Sequence, residues 1–257
     1  MDAPVTTPAP KYRRWLPYWA VLQTDVRQTF RSWVYRVWVL VSLLAALGYL
    51  LYRFGIHREA GILQSASVHT SDLLRGMILG SLALIVVLTV SSITSERGTL
   101  ADSVLSRGIS RYQYFLAKWH ARAFVVLVTF SVLAALILVG SYFLLSEDLS
   151  LGGSVAAIVS VAAILLAIVS WGVAIGALTN STVLGITLFW IALYGAGFLL
   201  SFLPASYPAP DRTLSRLPHI LRGNYDPEAV GELLLISVVI SAAAAVVGML
   251  GFARKDV

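Results

Sequence analysis

Residues 237–252 read SVVISAAAAVVGMLGF, a run without a charged side chain or a proline. The run belongs to a longer apolar segment, residues 229–252, which is long enough to cross the hydrocarbon core of a bilayer as a helix. Apolar and polar residues do not alternate along it, as they would in a strand of a membrane barrel. A helix also satisfies its own backbone hydrogen bonds in lipid. The segment is therefore predicted to be a transmembrane helix.

Similar apolar segments precede it at residues 37–52, 73–93, 121–145, 155–178 and 183–203. The chain of 257 residues is 58% hydrophobic and 12% charged, with a mean hydropathy of +0.81. A soluble domain carries about 25% charged residues. The sequence therefore predicts an all-α integral membrane protein, with six transmembrane helices in one domain that covers residues 34–257. Short polar links after residues 145 and 178 predict that the helices they join pack as antiparallel neighbours.

Lysine and arginine are unevenly distributed between the two sides of this predicted bundle. If the N-terminus is cytoplasmic, 13 of the 19 lysines and arginines fall on the cytoplasmic side and 6 on the outer side. Membrane proteins carry such an excess on their cytoplasmic side. We therefore expect both termini in the cytoplasm. The same excess, together with anionic membrane lipid, accounts for the pI of about 9.7, so a nucleic acid partner is not expected.

The first 33 residues divide into a polar tail and an amphipathic stretch. Residues 1–14 begin with a proline- and threonine-rich run and are predicted to be a disordered tail. In residues 15–33 apolar side chains recur at steps of three and four, which predicts an interfacial (elbow) helix lying in the membrane surface. The alternative is that the first transmembrane helix starts early. The apolar stripe consists of Trp15, Trp19, Leu22, Val26, Phe30 and Trp33, with Gln23, Arg27 and Arg31 on another face.

Several functional classes lack their sequence signatures. The chain has no cysteine, which excludes disulfides and thiolate metal sites. Its four histidines lie in or beside predicted loops, and the pair His57 and His69 is a weak metal pattern. No phosphate-binding P-loop motif is present, so ATP hydrolysis by this chain is not expected. Charges in the spans lie near their ends, which argues against a proton-coupled pump or a selective cation channel.

The outer segment, residues 204–227, contains five prolines and a small apolar patch. The patch predicts one or two short helices that dip toward the membrane, and a plain loop explains the prolines equally well. Asp226, Pro227 and Glu228 then predict the start of the last span, as a cap, a first-turn proline and an acid at the positive end of the helix dipole. The apolar patch consists of Leu214, Leu217, Ile220 and Leu221.

A polar insert, residues 94–119, separates the second and third spans. Thr99 is a candidate N-cap for a short helix, and Gly108 would end it. Ser110 and Gln113 have the spacing of a capping box, which predicts the start of the third span. The insert is therefore predicted to be a short helix across the bundle, clamped between two rigid spans. Such a helix could act as a lever, because a partner that pushes on it would move both spans.

The insert resembles the first cytoplasmic loop of ABC-2-type transporter permeases. The resemblance is carried by Glu96-Arg97, Gly98-Thr99-Leu100, Leu105-Ser106, Ile109-Ser110-Arg111 and Lys118, and it extends to the predicted six-span architecture with its N-terminal surface helix. The insert departs from the family pattern where Arg97 adjoins Gly98 directly, at Gly108 in place of proline, and at Ala117 in place of glycine. The chain is most similar to the subgroup of multicopper-enzyme maturation permeases, which includes that of nitrous-oxide reductase maturation.

This resemblance implies a non-catalytic permease subunit with an ABC-2 exporter-like fold, in the cytoplasmic (inner) membrane of a prokaryote. It implies a dimer of this chain with one separate ABC ATPase subunit on each half, so two copies in all. ATP and Mg would be bound by that ATPase, and this chain would hold no cofactor and no metal. The ATPase-coupling residues would be Glu96, Arg97, Gly98, Thr99, Leu100, Val104, Leu105, Arg107, Ser110 and Arg111.

Three hypotheses follow. The first is export of a hydrophobic or amphiphilic substrate, driven by the ATPase. The second is ATP-driven transmission of conformational change (mechanotransmission) to an outer-side partner protein, with little transport. The third is a membrane scaffold or assembly factor without an ATPase. A substrate path could be lined by Trp171, Trp190, Tyr194 and Phe198, and lipid-facing aromatics explain the same residues. The glycine pairs Gly76/Gly80 and Gly172/Gly176 predict close helix packing, within one subunit by default and in a dimer contact as the alternative.

Overall fold

The structure is a computed structural model that describes residues 15–60, 65–96, 109–145, 148–202, 204, 207 and 209–254, with backbone only at residues 57 and 60. In these ranges the chain is helical, as predicted. The helices are α1 (Leu16–Arg31), α2 (Trp33–Ala60), α3 (Ala66–Thr94), α4 (Arg111–Leu144), α5 (Leu151–Leu178), α6 (Thr182–Ser201), α7 (Pro210–Leu221) and α8 (Pro227–Arg254). The predicted disordered tail lies outside the described residues.

Six of these helices, α2 to α6 and α8, are long and apolar enough to cross a membrane. The prediction of six spans is therefore confirmed in number and position. The apolar segment that begins at residue 121 is the later part of α4, and the helix itself begins at Arg111, as the capping box at Ser110 predicts. The reason is local, because the capping box at Ser110 starts a helix that runs on without a break into the apolar segment.

The bundle has two ends, which side-chain contacts define. At one end Thr94 of α3 hydrogen-bonds Thr182 of α6 (2.7 Å), and Arg111 of α4 bonds a carbonyl of α8. We call this the loop end, because it carries both flanks of the polar insert. At the other end Asp148, which follows α4, accepts a hydrogen bond from Ser67 of α3. We call this the α7 end.

Helix α5 lies at the centre of the bundle and packs against α8, α3 and α4. In α5, 56% of an apolar stretch of 18 residues is buried, whereas only 11% is buried in the corresponding stretches of α2 and α6. Those two helices therefore lie at the periphery. Few side-chain bonds hold α2, and two of them are Tyr35 to Thr129 (2.6 Å) and Trp38 to Ser81 (3.1 Å).

The two glycine pairs behave differently. A Cβ at Gly172 or Gly176 of α5 would collide with Thr89 and Val90 of α3, so this pair allows the close helix approach that was predicted. At Gly76 and Gly80 of α3 no described atom lies within 4 Å of an added Cβ. For that pair, the prediction of close packing within one subunit is wrong in the described part of the chain. Both glycines instead face a groove between α2 and α3.

The amphipathic stretch at the N-terminus forms a separate helix, α1, which ends at Arg31 and is divided from α2 by Ser32. Pro17 lies in its first turn, where proline suits the helix because no backbone N–H is needed there. The helix packs against α4, and its buried face is partly polar, with Asp25 and Thr29 at its centre. Trp15 and Trp19 stay exposed.

In the part of the outer segment that the structure describes there is one short helix, α7, which agrees with the prediction of one or two. Leu217 and Leu221 are fully buried against the bundle. Two bonds join the helix to its neighbours, from Arg75 Nε to the Leu214 carbonyl (2.6 Å) and from the Ser150 amide to the Leu221 carbonyl (2.8 Å). Gly223, at φ +89°, follows in the left-handed conformation that favours glycine. The predicted start of the last span is also confirmed, since the Glu228 amide bonds the Asp226 carboxylate (2.9 Å).

Candidate functional site

The candidate site is the loop end, where the polar insert joins the bundle. Of the predicted coupling residues the structure describes the two flanks, Glu96 on one side and Ser110 and Arg111 on the other. The short helix expected between them lies outside the described residues. With it lie Arg97, Gly98, Thr99, Leu100, Val104, Leu105 and Arg107.

The second flank of the insert is fixed by the predicted capping box. The Gln113 amide donates to Ser110 Oγ (3.2 Å), and the Ser110 amide donates back to Gln113 Oε1 (3.4 Å). This reciprocal pair satisfies two amides at the start of α4 that would otherwise lack a partner inside the helix. The prediction made from the three-residue spacing of Ser110 and Gln113 is confirmed, and the chain enters α4 at a defined residue.

The start of α4 is also tied to the end of α8. Arg111 Nη1 donates to the carbonyl of Ala253 (3.0 Å). One turn further along, the Tyr114 ring stacks on Phe252 with the ring centroids 5.9 Å apart. The carbonyls at the end of α8 have no partner inside their own helix, so a cation there is favourable. The second flank of the insert therefore has direct contact with the last span.

The first flank of the insert returns to the same helix. Glu96, two residues beyond the end of α3, accepts a bond from Lys118 Nζ at 2.6 Å. Its second carboxylate oxygen accepts a hydrogen bond from the hydroxyl of Tyr114. Tyr114 and Lys118 are four residues apart and share one face of α4. Both flanks of the insert are therefore attached to the first two turns of α4.

A buried ion cluster extends this attachment to α1. Asp25 Oδ1 accepts hydrogen bonds from Lys118 Nζ (2.8 Å) and from Arg122 Nη2 (3.1 Å). Arg122 also donates to Thr29 Oγ1, whose hydroxyl in turn donates to the Asp25 carbonyl (2.8 Å). The Asp25 and Lys118 side chains are only 3% and 4% exposed. We call Asp25, Glu96, Lys118 and Arg122 the loop-end ion cluster.

The loop-end ion cluster contains two acids and two bases, so its formal charges cancel. Removing ions from water costs several kcal/mol each, and close pairing offsets this cost. Such a cluster stabilises the fold little compared with an apolar core, but it strongly disfavours any arrangement that separates its members. It therefore fixes the relative positions of α1, the end of α3 and the start of α4.

Sequence reasoning missed this cluster. It counted Lys118 and Arg122 among the 13 cytoplasmic cations, used Lys118 also in the family resemblance, and gave Asp25 no role. One pattern could have found it, because Asp25 and Thr29 are four residues apart on one helix face and Lys118 and Arg122 are four apart on another. Helical spacing places each pair on a common face, and complementary charge makes the two faces candidate neighbours.

The aromatic residues suggested for a substrate path lie on the surface of the bundle. Trp190 and Tyr194 of α6 stack with centroids 5.6 Å apart. Tyr194 and Phe198 are 72% and 65% exposed, and Trp171 of α5 is also exposed. Trp190 itself is half-buried against the core, so on α6 the outward aromatic face consists of Tyr194 and Phe198. A path along them would require a second copy of the chain or lipid on its other side.

A second polar cluster holds the α7 end together. Asp148 accepts hydrogen bonds from the Ser67 amide (2.9 Å) and from the hydroxyls of Ser65 and Ser67, and Arg222 Nε lies 3.3 Å from its Oδ2. Burial alone would raise the pKa of the Asp148 carboxyl, but the serine hydrogen bonds and the Arg222 charge outweigh it and lower that pKa. The carboxylate therefore stays ionised and joins α3, the α4–α5 link and the end of α7.

No metal-binding group is found in the described ranges, where three or more histidine or acidic side chains do not converge anywhere. The loop placement expected for the histidine pair is wrong: His57 lies near the end of α2, and His69 lies in the first turn of α3, where it bonds the Tyr49 hydroxyl (3.1 Å). The His57 side chain lies outside the description.

The six long apolar helices place the chain in the class of all-helical, multi-pass membrane proteins. No protein-family model matches the sequence, and no curated protein matches it either.

Proposed function

We propose that this protein is the transmembrane permease subunit of an ABC-2-type transporter, which couples ATP hydrolysis in a separate ATPase subunit to export of a hydrophobic or amphiphilic substrate. The observation that carries the proposal is the anchoring of the polar insert. Its flanks, Glu96 and Arg111, contact α4 and α8, and the loop-end ion cluster adds α1. A displacement of the insert would therefore reach three helices at once.

The same arrangement suits a lever better than a simple link between two spans. A passive connection needs neither buried ions nor contacts to a third and a fourth helix. Buried, paired charges resist separation, so the elements they join move together and not independently. An ATPase docked on the insert would act on a rigid unit made of α1, the end of α3 and the start of α4. ATP and Mg would be held by that partner.

The proposed complex contains two copies of this chain and two ATPase subunits, in the cytoplasmic membrane of a prokaryote with both termini inside. The exposed aromatic face of α6 supports a second copy or lipid beside that helix. Helix α1 would lie in the membrane surface as an elbow helix. Its exposed Trp15 and Trp19 and its exposed Arg27 and Arg31 suit the boundary between acyl chains and anionic headgroups.

Orientation can be measured directly because the chain has no cysteine. Single cysteines placed at Ser95 and Ser215, both exposed, would mark the loop end and the α7 end. A membrane-impermeant maleimide applied to spheroplasts should label the Ser215→Cys protein and leave the Ser95→Cys protein unlabelled until the cells are lysed. The opposite pattern would place the loop end outside and refute docking of a cytoplasmic ATPase there.

Coupling is tested by placing a charge in the insert. Leu100→Asp should reduce the amount of co-purifying ATPase about tenfold or more, since a charge buried in an interface without a partner costs several kcal/mol. Ser215→Asp adds the same charge at the exposed α7 end and serves as the matched control. Circular dichroism should show both variants folded. Unchanged ATPase recovery with folded Leu100→Asp protein would remove the coupling assignment and favour a scaffold without an ATPase.

A second candidate function is transmission of the conformational change to an outer-side partner protein. The observation that favours it is the rigid attachment of α7, which Asp148 and Arg222 connect to α3 and the α4–α5 link. Transport assays of the purified complex in vesicles separate the two functions. Substrate movement supports export, whereas ATP turnover without movement, together with a stably bound outer protein, supports transmission.

A further inference from the structure

A cavity of about 310 Å³ opens at the α7 end, between α7 and the first two turns of α8. One wall is the face of α7 that carries Arg212, Arg216 and His219, which recur at steps of four and three and so share a side of the helix. The other wall includes Glu232 of α8. Ser160 of the central helix α5 also lines the cavity and supplies its only contribution from α5 among the described residues.

The charges of this cavity are not used to hold the described fold together. Neither Arg216 nor Glu232 forms an ion pair within 4.0 Å or a hydrogen bond with any part of the chain that the structure describes. Arg212 differs, because it donates to the Pro204 and Tyr207 carbonyls and so fixes the entry to α7. The cavity therefore offers a ligand the Arg216 cation from α7 and the Glu232 anion from α8. Asp226 is a second acid in the lining, and it accepts the Glu228 amide at the start of α8.

Ser160 is the buried polar group of the cavity. It is 1% exposed, and its hydroxyl has no hydrogen-bond partner among the described residues. Ser170 of the same helix and Ser241 of α8 are also buried, but each donates to the carbonyl four residues earlier. Ser160 does not do so towards Ala156. Thr70 and Ser141 are buried without a partner as well, but of these three hydroxyls Ser160 is the one that lines this cavity, where a polar group of an occupant would satisfy it.

The remaining wall is apolar. Ile220 and Leu233 are buried in it, and Ala229 and Val230 continue it along α8. This surface leads to the exposed apolar face of α8, which includes Leu234 and Val238. A ligand with a charged head and an apolar tail could therefore place its head between the two charged walls and its tail along α8.

We infer that this cavity binds the headgroup of a zwitterionic amphiphile of the phosphoethanolamine type. Its phosphate would contact Arg216, its ammonium group would donate to Glu232, and one of its oxygens would accept the Ser160 hydroxyl. Arginine binds phosphate through paired N–H donors, and a primary ammonium donates to a carboxylate, which a quaternary one does not. The inference does not depend on the proposed transport function, since it concerns a lipid site on the bundle itself.

The test uses the purified full chain and measures lipid retention by native mass spectrometry and the thermal unfolding midpoint with added lipid. The probes are phosphatidylethanolamine, phosphatidylcholine and phosphatidylglycerol of identical acyl chains. Phosphatidylethanolamine should bind about fivefold more tightly than either of the others, the factor expected for one partly exposed charged contact. Equal retention of all three lipids by the unmodified protein would overturn the inference.

Three substitutions locate the site. Glu232→Gln should abolish the preference for phosphatidylethanolamine over phosphatidylglycerol. Arg216→Gln should weaken the binding of both of these lipids about fivefold. Ser160→Ala should weaken lipid retention without lowering the unfolding midpoint of the lipid-free protein. The matched controls are Arg58→Gln and Glu59→Gln, which remove exposed charges at the same end of the bundle and should change nothing. If the controls reduce retention as much as the cavity variants do, binding is general surface electrostatics and the inference fails.

Two sources could supply this headgroup chemistry, membrane lipid and a free zwitterion. Soluble phosphoethanolamine at the same concentration distinguishes them. A midpoint shift with the soluble compound that Glu232→Gln removes would show that the headgroup alone is the ligand. A shift with the lipid alone, also removed by Glu232→Gln, would show that the tail along α8 is needed. Either result supports the site, and a shift that survives Glu232→Gln in both cases contradicts it.

Discussion

Removing Asp25 from the loop-end ion cluster should destabilise the protein more than any other single charge removal on α1. In Asp25→Asn the Arg122 guanidinium loses its acidic partner in a buried position, while Lys118 keeps Glu96 at 2.6 Å. At the Asp25–Arg122 distance of 3.1 Å and an effective dielectric constant of about 20, the lost attraction is about 5 kcal/mol. Since the desolvation cost of Arg122 is retained, we expect a loss of about 3–5 kcal/mol in unfolding free energy.

The double variant Asp25→Asn/Arg122→Gln provides the decisive comparison. It removes one acid and one base together, so the remaining Lys118–Glu96 pair stays balanced. Each single variant leaves an unbalanced buried charge, and the double variant does not. The losses of unfolding free energy in the two single variants should therefore add up to at least about 1 kcal/mol more than the loss in the double variant.

Unfolding by sodium dodecyl sulfate in mixed micelles, followed by the fluorescence of the seven tryptophans, measures these free energies. Arg27→Gln is the matched control, because it removes a charge from the exposed face of the same helix and should change stability by no more than about 0.5 kcal/mol. The reasoning is refuted if Asp25→Asn costs no more than the control, or if the single losses simply add.

Three further predictions concern packing and pH. Gly176→Ala should cost about 1–3 kcal/mol, because its Cβ would meet the Val90 backbone of α3, whereas Gly80→Ala should be neutral or slightly stabilising; both are read from unfolding midpoints. Leu217→Ala should cost about 2–5 kcal/mol and detach α7, which faster proteolysis of the outer segment would reveal, and an unchanged rate would contradict the packing of that helix. Asp148→Asn should cost about 1–2 kcal/mol at pH 7. Because the folded pKa of Asp148 is lowered, its contribution is present above the unfolded value of about 3.9 and lost as pH falls through the folded pKa, so the gap to the variant should close below pH 4.

Local features of the fold could be read from the sequence because their causes are local. The six spans follow from unbroken apolar length, and the start of α4 follows from the spacing of Ser110 and Gln113. The start of α8 follows in the same way from Asp226, Pro227 and Glu228. In each case a few neighbouring residues determine the outcome, whatever the rest of the chain does.

Features that depend on helix pairing could not be read in this way. Asp25 looks like an ordinary acid of an amphipathic helix until α1 packs its polar face onto Lys118 and Arg122 of α4. Gly176 and Gly80 belong to identical small-residue patterns, yet only the first meets a neighbouring helix. Sequence spacing gives the face on which a residue lies, and only tertiary packing decides what that face contacts.

The central claim is that the loop end of this bundle docks an ATPase. Purification of the tagged protein in mild detergent, with identification of the co-purifying chains and an assay for ATP hydrolysis, tests it most directly. The account predicts an ATPase with a P-loop motif in equimolar amount, and ATP turnover in the purified fraction. A chain that purifies alone and hydrolyses no ATP, while its circular dichroism shows an intact helical bundle, would contradict the claim.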